Sequence, residues 1–206
     1  ELRPVIQEKN IFRQLLDAKK TVSFANAFPK QFFDYTNSGT RRLTVTTLSC
    51  MMAGIPLKTI EALRANAAIS ADLTRARWPE LGFPEIPAIT AQQAGKHLAQ
   101  ITVEYDFTLF EYWLTDHAGH SQDPKFAVEV LERFDAFLGG LIEKLDLRTT
   151  LVVMISDHGN IEDLSTKGHT RNPVPCIALG ARRKEFVRRI KNLTHITPTI
   201  VQFLTE

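Results

Sequence analysis

Short apolar or β-branched runs alternate with longer segments of helical spacing along the 206-residue chain. Residues 11–19 show the helical spacing, and residues 21–25 follow them as a predicted strand. Strands that alternate with helices in this way are typical of an α/β fold, in which helices cover a sheet on both faces. We therefore predict a three-layer αβα sandwich around a mostly parallel central sheet.

The first half of the chain is harder to interpret after residue 41. Residues 42–55 are rich in Val, Thr, Leu and Met, and they fit either a strand or a buried helix. Pro56 suits the first turn of a helix that would end at Asn66. The prolines of residues 78–87 predict a loop. We predict one domain over residues 1–206, with residues 41–100 as a small insert or cap within it.

The second half of the chain has clearer signals for where helices and strands begin. Thr90 is a predicted N-cap for a helix that runs to about Val103, and residues 107–114 predict a strand. Asp123 and Pro124 predict the cap and first turn of a long helix. Its apolar stripe comprises Phe126, Val130, Phe134, Phe137, Leu138, Leu141 and Leu145.

Residues 151–155 form a continuous apolar run, which is typical of a strand buried on both faces. Polar residues 156–159 follow at its carboxyl end, where ligands bind in open α/β sheets. Residues 161–175 predict a loop, residues 177–179 a short strand, and Thr197 with Pro198 the start of a last helix.

Composition narrows the class of partner. Hydrophobic residues make up 44% and charged residues 23%, as in ordinary globular proteins. The net charge of +2 is spread along the chain, so we expect no nucleic-acid partner. The basic run of residues 182–191 is interpreted as a solvated helix face, with attraction of a phosphate-rich ligand as the alternative.

Membranes and disulfides are not expected either. No run approaches the ~18 apolar residues that span a bilayer, and the first residues do not resemble a signal peptide. Cys50 and Cys176 lie in apolar stretches, which favours buried free thiols, a reducing compartment and a cytoplasmic location. The chain begins at Glu1 rather than Met, so the existence of an upstream segment stays an open alternative.

Candidate chemistry gathers after two predicted strands. One strand leads to Asp116 and His120, the other to Asp157 and His158, and His169 lies on the following loop. Carboxylates and neutral imidazoles are ligands for zinc, manganese or iron rather than calcium. The three-residue gap between Asp116 and His120 predicts that one loop wraps a single ion. These five residues are therefore candidate metal ligands.

Each of these residues also has an ordinary explanation. A single Asp or His after a strand is more often a helix cap or turn former, but five of them at strand ends favour a metal site. His117 is interpreted as a solvent-facing loop residue, with a substrate contact as the alternative. His97, in a predicted helix, and His195, before a capped one, are interpreted as structural.

The motifs resemble those of the alkaline phosphatase superfamily. Residues 116–120 match its Asp-x-x-x-His motif, residues 157–159 its Asp-His-Gly motif, and residues 169–170 the third. The longer strings are similar to cofactor-independent phosphoglycerate mutases, which show Asp-His-Gly-Asn-x-Glu and His-Thr-x-Asn-x-Val-Pro. The matching residues are Asp157, His158, Gly159, Asn160, Glu162, His169, Thr170, Asn172, Val174 and Pro175. Residues 196–200 are similar to the Ile-Ala-Pro-Thr segment that opens the final helix.

The resemblance implies an alkaline-phosphatase-like fold and two divalent ions, Mn²⁺ or Zn²⁺. It implies one ion held by Asp116, His120 and His169, and a second held in part by Asp157 and His158. The family completes the second ion with an Asp on its first strand and a Ser or Thr nucleophile. Neither is visible in this chain, so we expect the N-terminal part of the sheet, and with it the nucleophile, to lie outside it.

Hydroxyl groups within the chain are weak substitutes for that nucleophile. Thr46, Thr47 and Ser49 cluster together, but they belong to a segment that is interpreted as buried. We therefore identify no catalytic nucleophile in this chain, and expect the chain alone to be inactive.

The resemblance implies transfer of a phosphoryl group of a small phosphorylated substrate. Lys167, Arg171 and Asn160 are candidate substrate contacts, although the two charged residues also fit a solvated loop. Residues 41–100 are short for the second domain of a mutase, and Ser121 and Gln122 depart from its His-Thr-Gly string. A phosphomutase (an isomerase) and a phosphatase or phosphodiesterase (a hydrolase) both stay open. A non-catalytic metal-binding remnant or subunit is the alternative of another class.

Overall fold

The computed structural model describes residues 3–37 and 43–206, and it has an α/β fold. Strand β1 (Val22–Phe24) pairs in parallel with β2 (Phe107–Leu109). The chain beyond β1 continues this pairing through parallel bridges from Asn26 to Ile69 and from Ala27 to Lys58. Strand β3 (Leu151–Ile155) pairs with β4 (Cys176–Gly180) in an antiparallel ribbon. In the described part of the chain, the two pairs are separate hydrogen-bonded sheets.

Helices account for most of the remaining regular structure. In chain order they are α1 (Arg3–Lys9), α2 (Ile11–Asp17), α3 (Lys30–Asn37), α4 (Val45–Ala53), α5 (Ile60–Arg64), α6 (Ala91–Thr102), α7 (Leu114–Ser121), α8 (Pro124–Lys144), α9 (Arg183–Arg189) and α10 (Ile196–Thr205). None of the described helices is long and apolar enough to cross a membrane.

Helices lie against both faces of β1. On one face, Phe24 packs with Phe12 of α2 and Cys50 of α4. On the other face, Ala25 belongs to a buried cluster with Leu98 of α6 and Phe137 of α8. Side chains that alternate between two apolar layers are the mark of a strand covered on both sides. The predicted α/β fold, with helices around parallel strands, is confirmed.

Local capping signals are confirmed where the sequence indicated them. The Thr90 hydroxyl accepts from the Gln93 backbone, and the Gln93 side chain accepts from the Thr90 N–H, which closes a capping box at α6. Asp123 caps α8 ahead of Pro124. The predicted apolar stripe of α8 packs into two clusters, one shared with α6 and one shared with α7.

The layer of α6 and α8 is held close by glycine. A Cβ on Gly140 would lie 2.0 Å from the carbonyl oxygen of Gln92, and one on Gly95 would lie 2.0 Å from the carbonyl oxygen of Phe137. These distances leave no space for a side chain. The two backbones therefore meet directly at this crossing.

The structure resolves one ambiguous segment, corrects the start of one helix and adds a short turn to a predicted loop. Of the ambiguous residues 42–55, Arg42 lies outside the described residues, and the rest are mainly helix α4, capped by Thr44 and ended by Gly54 in the left-handed region (φ 74°). Helix α5 begins at Ile60 rather than near Pro56 because the Lys58 backbone is used in the bridge to Ala27. The predicted loop of residues 78–87 contains a short 3₁₀-helix at Pro79–Leu81.

Strand β3 is less buried than its apolar sequence predicted. Ile155 is 41% exposed, and Ile177 of β4 is 44% exposed. Val152 packs beside the α6 and α8 cluster, but β3 has one strand neighbour in the described part of the chain, namely β4. The prediction of a strand buried on both faces was wrong for this structure.

Two arginines of the basic run of residues 182–191 are paired within the fold, and the other basic residues of the run are exposed, as predicted for a solvated helix face. Arg182 and Arg189 both bind Glu185 and Glu206, and their guanidinium groups lie 4.1 and 4.7 Å from the ring centre of Phe203 in α10. The run therefore joins α9 to α10, and Phe186 on its inner side is fully buried. Of the two free cysteines, Cys50 is buried as predicted, whereas Cys176 at the start of β4 is only partly buried.

Candidate metal centre

Helix α7 carries two of the predicted ligands one turn apart. Asp116 lies in its first turn and His120 in its last, and residues four positions apart share one face of a helix. The prediction that a loop wraps the ion was wrong here, because β2 ends at Leu109 and a helix follows. Ala118 is fully buried against α8, and this contact favours the helix.

His169 reaches this face of α7 from the loop between β3 and β4. Its Nε2 lies 3.2 Å from Asp116 Oδ1 and 3.2 Å from His120 Nε2, and the third side of the triangle, His120 Nε2 to Asp116 Oδ1, is 3.4 Å. Ligands bound tetrahedrally to zinc at about 2.0–2.1 Å stand roughly 3.3 Å from one another. The triangle therefore has the dimensions of three metal ligands.

The His120 ring is oriented for the same purpose. Its Nδ1 lies 2.5 Å from the backbone carbonyl oxygen of Lys167, which can only accept a hydrogen bond. Nδ1 therefore donates this bond, and Nε2 is the ring nitrogen that faces Asp116 and His169. A metal-binding histidine usually has this arrangement, with its other nitrogen bound to a carbonyl or carboxylate.

Asp157 and His158 lie beside the triangle without completing a second one. The His158 ring stacks on His169 at 3.6 Å between ring centres, and its Nε2 lies 3.6 Å from Asp157 Oδ1 and 3.8 Å from Asp116 Oδ1. The Asp157 side chain is 88% exposed. Across the described ranges, the grouping of close acidic and imidazole ligands consists of Asp116, His120 and His169.

Asn160 is a buried residue that packs against α7, the helix of Asp116 and His120. It is 4% exposed, and both polar atoms of its amide are buried without a hydrogen-bond partner. A Cβ added to Gly119 of α7 would lie 1.4 Å from Asn160 Oδ1, so the two residues are in direct contact. The role of Asn160 as a substrate contact stays a prediction, and in this structure its amide faces Gly119 rather than solvent.

The remaining polar residues of the centre face solvent. Lys167 and Arg171 are exposed on the loop that carries His169. His117 is exposed too, but it belongs to α7 rather than to a loop.

Glu111 is a partly buried carboxylate that the sequence pattern did not single out. It follows β2, and its side chain accepts from the Thr46 hydroxyl and from the Trp113 indole N–H at 3.1 Å. Its backbone exchanges two hydrogen bonds, of 2.9 and 2.8 Å, with the side chain of Asn26. Burial raises the pKa of Glu111, and the negative charge of Asp157 raises it further. An acidic residue inside the apolar run of residues 107–114 was the available signal.

The hydroxyls of α4 are committed elsewhere. Thr46 donates to Glu111, Ser49 donates to the Val45 carbonyl at 2.7 Å, and Thr47 is 1% exposed. This agrees with the expectation that the nucleophile does not come from these residues.

Residues 87–205 match the Metalloenzyme superfamily, which is more than half of the chain. The chain belongs to this superfamily. The predicted relationship to the alkaline-phosphatase-like metalloenzymes is confirmed.

The chain is similar in sequence to curated phosphoglycerate mutases. The chain is 29% identical over 136 residues to the 2,3-bisphosphoglycerate-independent phosphoglycerate mutase of Pyrococcus abyssi, covering 61% of this chain and 33% of that protein. It is 32% identical over 133 residues to the enzyme of the same name from Paracoccus denitrificans, covering 61% of this chain and 25% of that protein. The chain thus spans a third or less of the length of these curated relatives.

A solved structure has the same fold. The PH0037 protein from Pyrococcus horikoshii aligns with a TM-score of 0.54 and 18% identity, covering 81% of this chain and 39% of that one. At this identity, the likeness concerns the fold alone.

Proposed function

We propose that this chain supplies most of the metal-binding part of a phosphoryl-transfer enzyme. The observation that carries the proposal is the triangle of Asp116, His120 and His169, whose sides of 3.2, 3.2 and 3.4 Å fit one divalent ion. Two imidazoles and one carboxylate favour Zn²⁺ or Mn²⁺. Membership of the Metalloenzyme superfamily and similarity to phosphoglycerate mutases support this chemistry.

The second ion is proposed to use Asp157 and His158 together with ligands from outside this chain. Because the Asp157 side chain is exposed, its carboxylate is accessible to an ion that ligands from another segment also bind. We propose that the Ser or Thr nucleophile belongs to the same external segment. Two ions of this kind stabilise the attacking and leaving oxygens of the transferred phosphoryl group.

The substrate is proposed to be a small phosphorylated compound. Lys167 and Arg171 are exposed and lie two residues before and after His169 on the same loop. Cations at this place attract a phosphate and favour its correct approach. Asp116 and Asp157 would be neutralised by the ions rather than by these side chains.

Residues 41–100 are proposed to form a small cap. Residues 41 and 42 lie outside the described residues. Ile60, Leu63, Trp78 and Ile86 form a local apolar cluster, which also includes Ala27 beside β1. Such a cluster supports a compact unit over part of this range, while Cys50 and Leu98 pack with the rest of the fold. Such a small unit favours a phosphatase or phosphodiesterase, whereas the similarity to mutases favours a phosphomutase.

The test uses the protein together with any sequence that its gene encodes before Glu1. We expect hydrolysis of an aryl phosphate or interconversion of phosphoglycerates, lost with a chelator and restored by Zn²⁺ or Mn²⁺. The faster substrate distinguishes the phosphatase from the mutase. Metal binding with no turnover of either compound, in a protein whose reading frame begins just before Glu1, would favour a non-catalytic subunit instead.

A further inference from the structure

Glu162 joins two separate stretches of the loop between β3 and β4. Its Oε2 accepts from the backbone N–H of Asn160 at 2.6 Å. Its Oε1 accepts from the Thr170 hydroxyl and from Asn172 Nδ2, the latter at 3.0 Å. One carboxylate therefore ties the turn that follows His158 to the segment that follows His169.

The backbones of these two stretches also meet. Gly159 and Thr170 form an antiparallel bridge, in which the Thr170 N–H donates to the Gly159 carbonyl oxygen at 2.8 Å. A Cβ on Gly159 would lie 2.1 Å from Thr170 Oγ1 and 2.6 Å from Glu162 Oε1. The carboxylate and the hydroxyl thus fit directly against a bare backbone, which leaves little freedom to either stretch.

His158 and His169 each stand immediately before a residue of this joined unit. Their rings stack at 3.6 Å with an angle of 13° between the planes. The same unit sets the reach of His169 Nε2 to Asp116 and His120 on α7. A displacement of the bridge would therefore move His169 relative to α7.

We propose that Glu162 is the positioning residue of the metal centre. It holds His169 at the distance from Asp116 and His120 that lets all three bind one ion. The inference rests on the proposed function, since it takes His169 as a ligand. Outer residues that orient metal ligands typically change affinity about 10–100-fold when they are replaced. Glu162 does so through Thr170 and the Gly159 backbone rather than by touching the ion.

The charge of Glu162 suits this role. The Thr170 hydroxyl, followed by the amide donors, holds the pKa of Glu162 at about 2. The carboxylate therefore stays ionised wherever the histidines are neutral enough to bind metal. It is an acceptor at both oxygens throughout that range.

The experiment titrates the full 206-residue chain with Co²⁺ and follows the visible spectrum, which reports the geometry of the ligands. Glu162→Gln leaves one acceptor oxygen where the carboxylate has two, so the donors of Asn160, Thr170 and Asn172 can no longer all be accepted. Thr170→Val removes the hydroxyl with little change of shape. We expect both to weaken Co²⁺ binding about 10–100-fold and to alter the spectrum. Thr170→Ser keeps the hydroxyl and should retain the wild-type affinity and spectrum.

Glu143→Gln is the matched control. Glu143 is a half-exposed carboxylate on α8 that pairs with Lys96 at 2.9 Å, and its removal should leave Co²⁺ binding unchanged. Hydrogen exchange of the Asn160 amide in chelator-treated protein provides a readout without metal. We expect this amide to be protected in the wild type and in Thr170→Ser, and to exchange faster in Glu162→Gln.

The outcomes separate the two proposals. Equal Co²⁺ affinity in the wild type, Thr170→Val and Glu162→Gln overturns the positioning role while leaving the metal centre intact. No binding by the wild-type chain, with Asn160 still protected, overturns the proposed metal centre and the positioning role with it.

Discussion

The two halves of the candidate centre differ in how completely their ligands are assembled. Asp116, His120 and His169 converge within 3.4 Å, whereas Asp157 is 88% exposed and lies 3.6 Å from His158 outside this triangle. The converging half is built on α7, whose buried side packs on α8, and on a loop held by Glu162. The open half stands at the end of a half-exposed ribbon.

The difference shows what each half depends on. A helix turn and a cross-bonded loop can fix three ligands without help from other segments. Side chains at the end of a strand are held in place when strands lie on both sides of it. In the described part of the chain, β3 has a strand on one side, namely β4. The first half should therefore bind metal on its own, and the second should not.

The strongest way to break this comparison is to remove a ligand from each half. We expect His169→Ala to weaken Zn²⁺ binding by more than about 100-fold, beyond the range typical of outer residues. Asp157→Ala should leave the affinity of the 206-residue chain nearly unchanged, because its carboxylate is not part of the triangle. Isothermal titration with competing chelators measures both.

His117→Ala is the control for that pair, since His117 is an exposed imidazole on α7 outside the triangle. Equal losses of affinity in His169→Ala and Asp157→Ala would mean that the two halves form one site.

A second prediction concerns the packing of α7 against Asn160. Gly119→Ala places a Cβ 1.4 Å from Asn160 Oδ1, inside a buried contact, so we expect a loss of about 1–3 kcal/mol in unfolding free energy. Gly139→Ala on α8 meets no atom within 4 Å and should raise stability by about 0.5–1 kcal/mol. Urea denaturation compares the two, and the same sign for both would contradict the packing described here.

The smallest effect is expected at Glu111, which lies between the two halves. Because burial raises its pKa in the folded state, the neutral form is favoured by folding. Its contribution to stability is therefore fully present below the unfolded value near 4.5 and is lost as the pH rises through the raised value. Glu111→Gln cannot ionise, so its stability relative to wild type should increase over that window in pH-dependent denaturation. A constant difference between the two proteins at all pH values would show that Glu111 does not titrate as described.

Local features of this fold could be predicted from sequence, and long-range ones could not. Thr90 and Asp123 announce their helices because a cap depends on a few adjacent residues. The ligand types of the centre were also visible, since Asp and His at strand ends are unusual in number. The helix under Asp116 was not predicted, because a gap of three residues suits a loop and a helix equally.

Other features depend on partners far away in the chain. The exposure of β3 depends on which strands lie beside it, and its apolar sequence alone predicted burial. The partly buried hydrogen bond between Thr46 and Glu111 joins residues 65 positions apart. Asn160 lies against Gly119 through a contact that no local pattern encodes. Such contacts follow from packing rather than from the spacing of residue types.

The helical placement of Asp116 and His120 also means that an ion would stabilise the element that binds it. An ion shared by these two side chains would act as a cross-link over one turn of an eight-residue helix, a length that is marginal without support. Because His169 already lies 3.2 Å from both side chains, the ion would enter a triangle that is formed before binding. Binding would then suppress fraying of the last turn of α7, at little cost in ordering the loop.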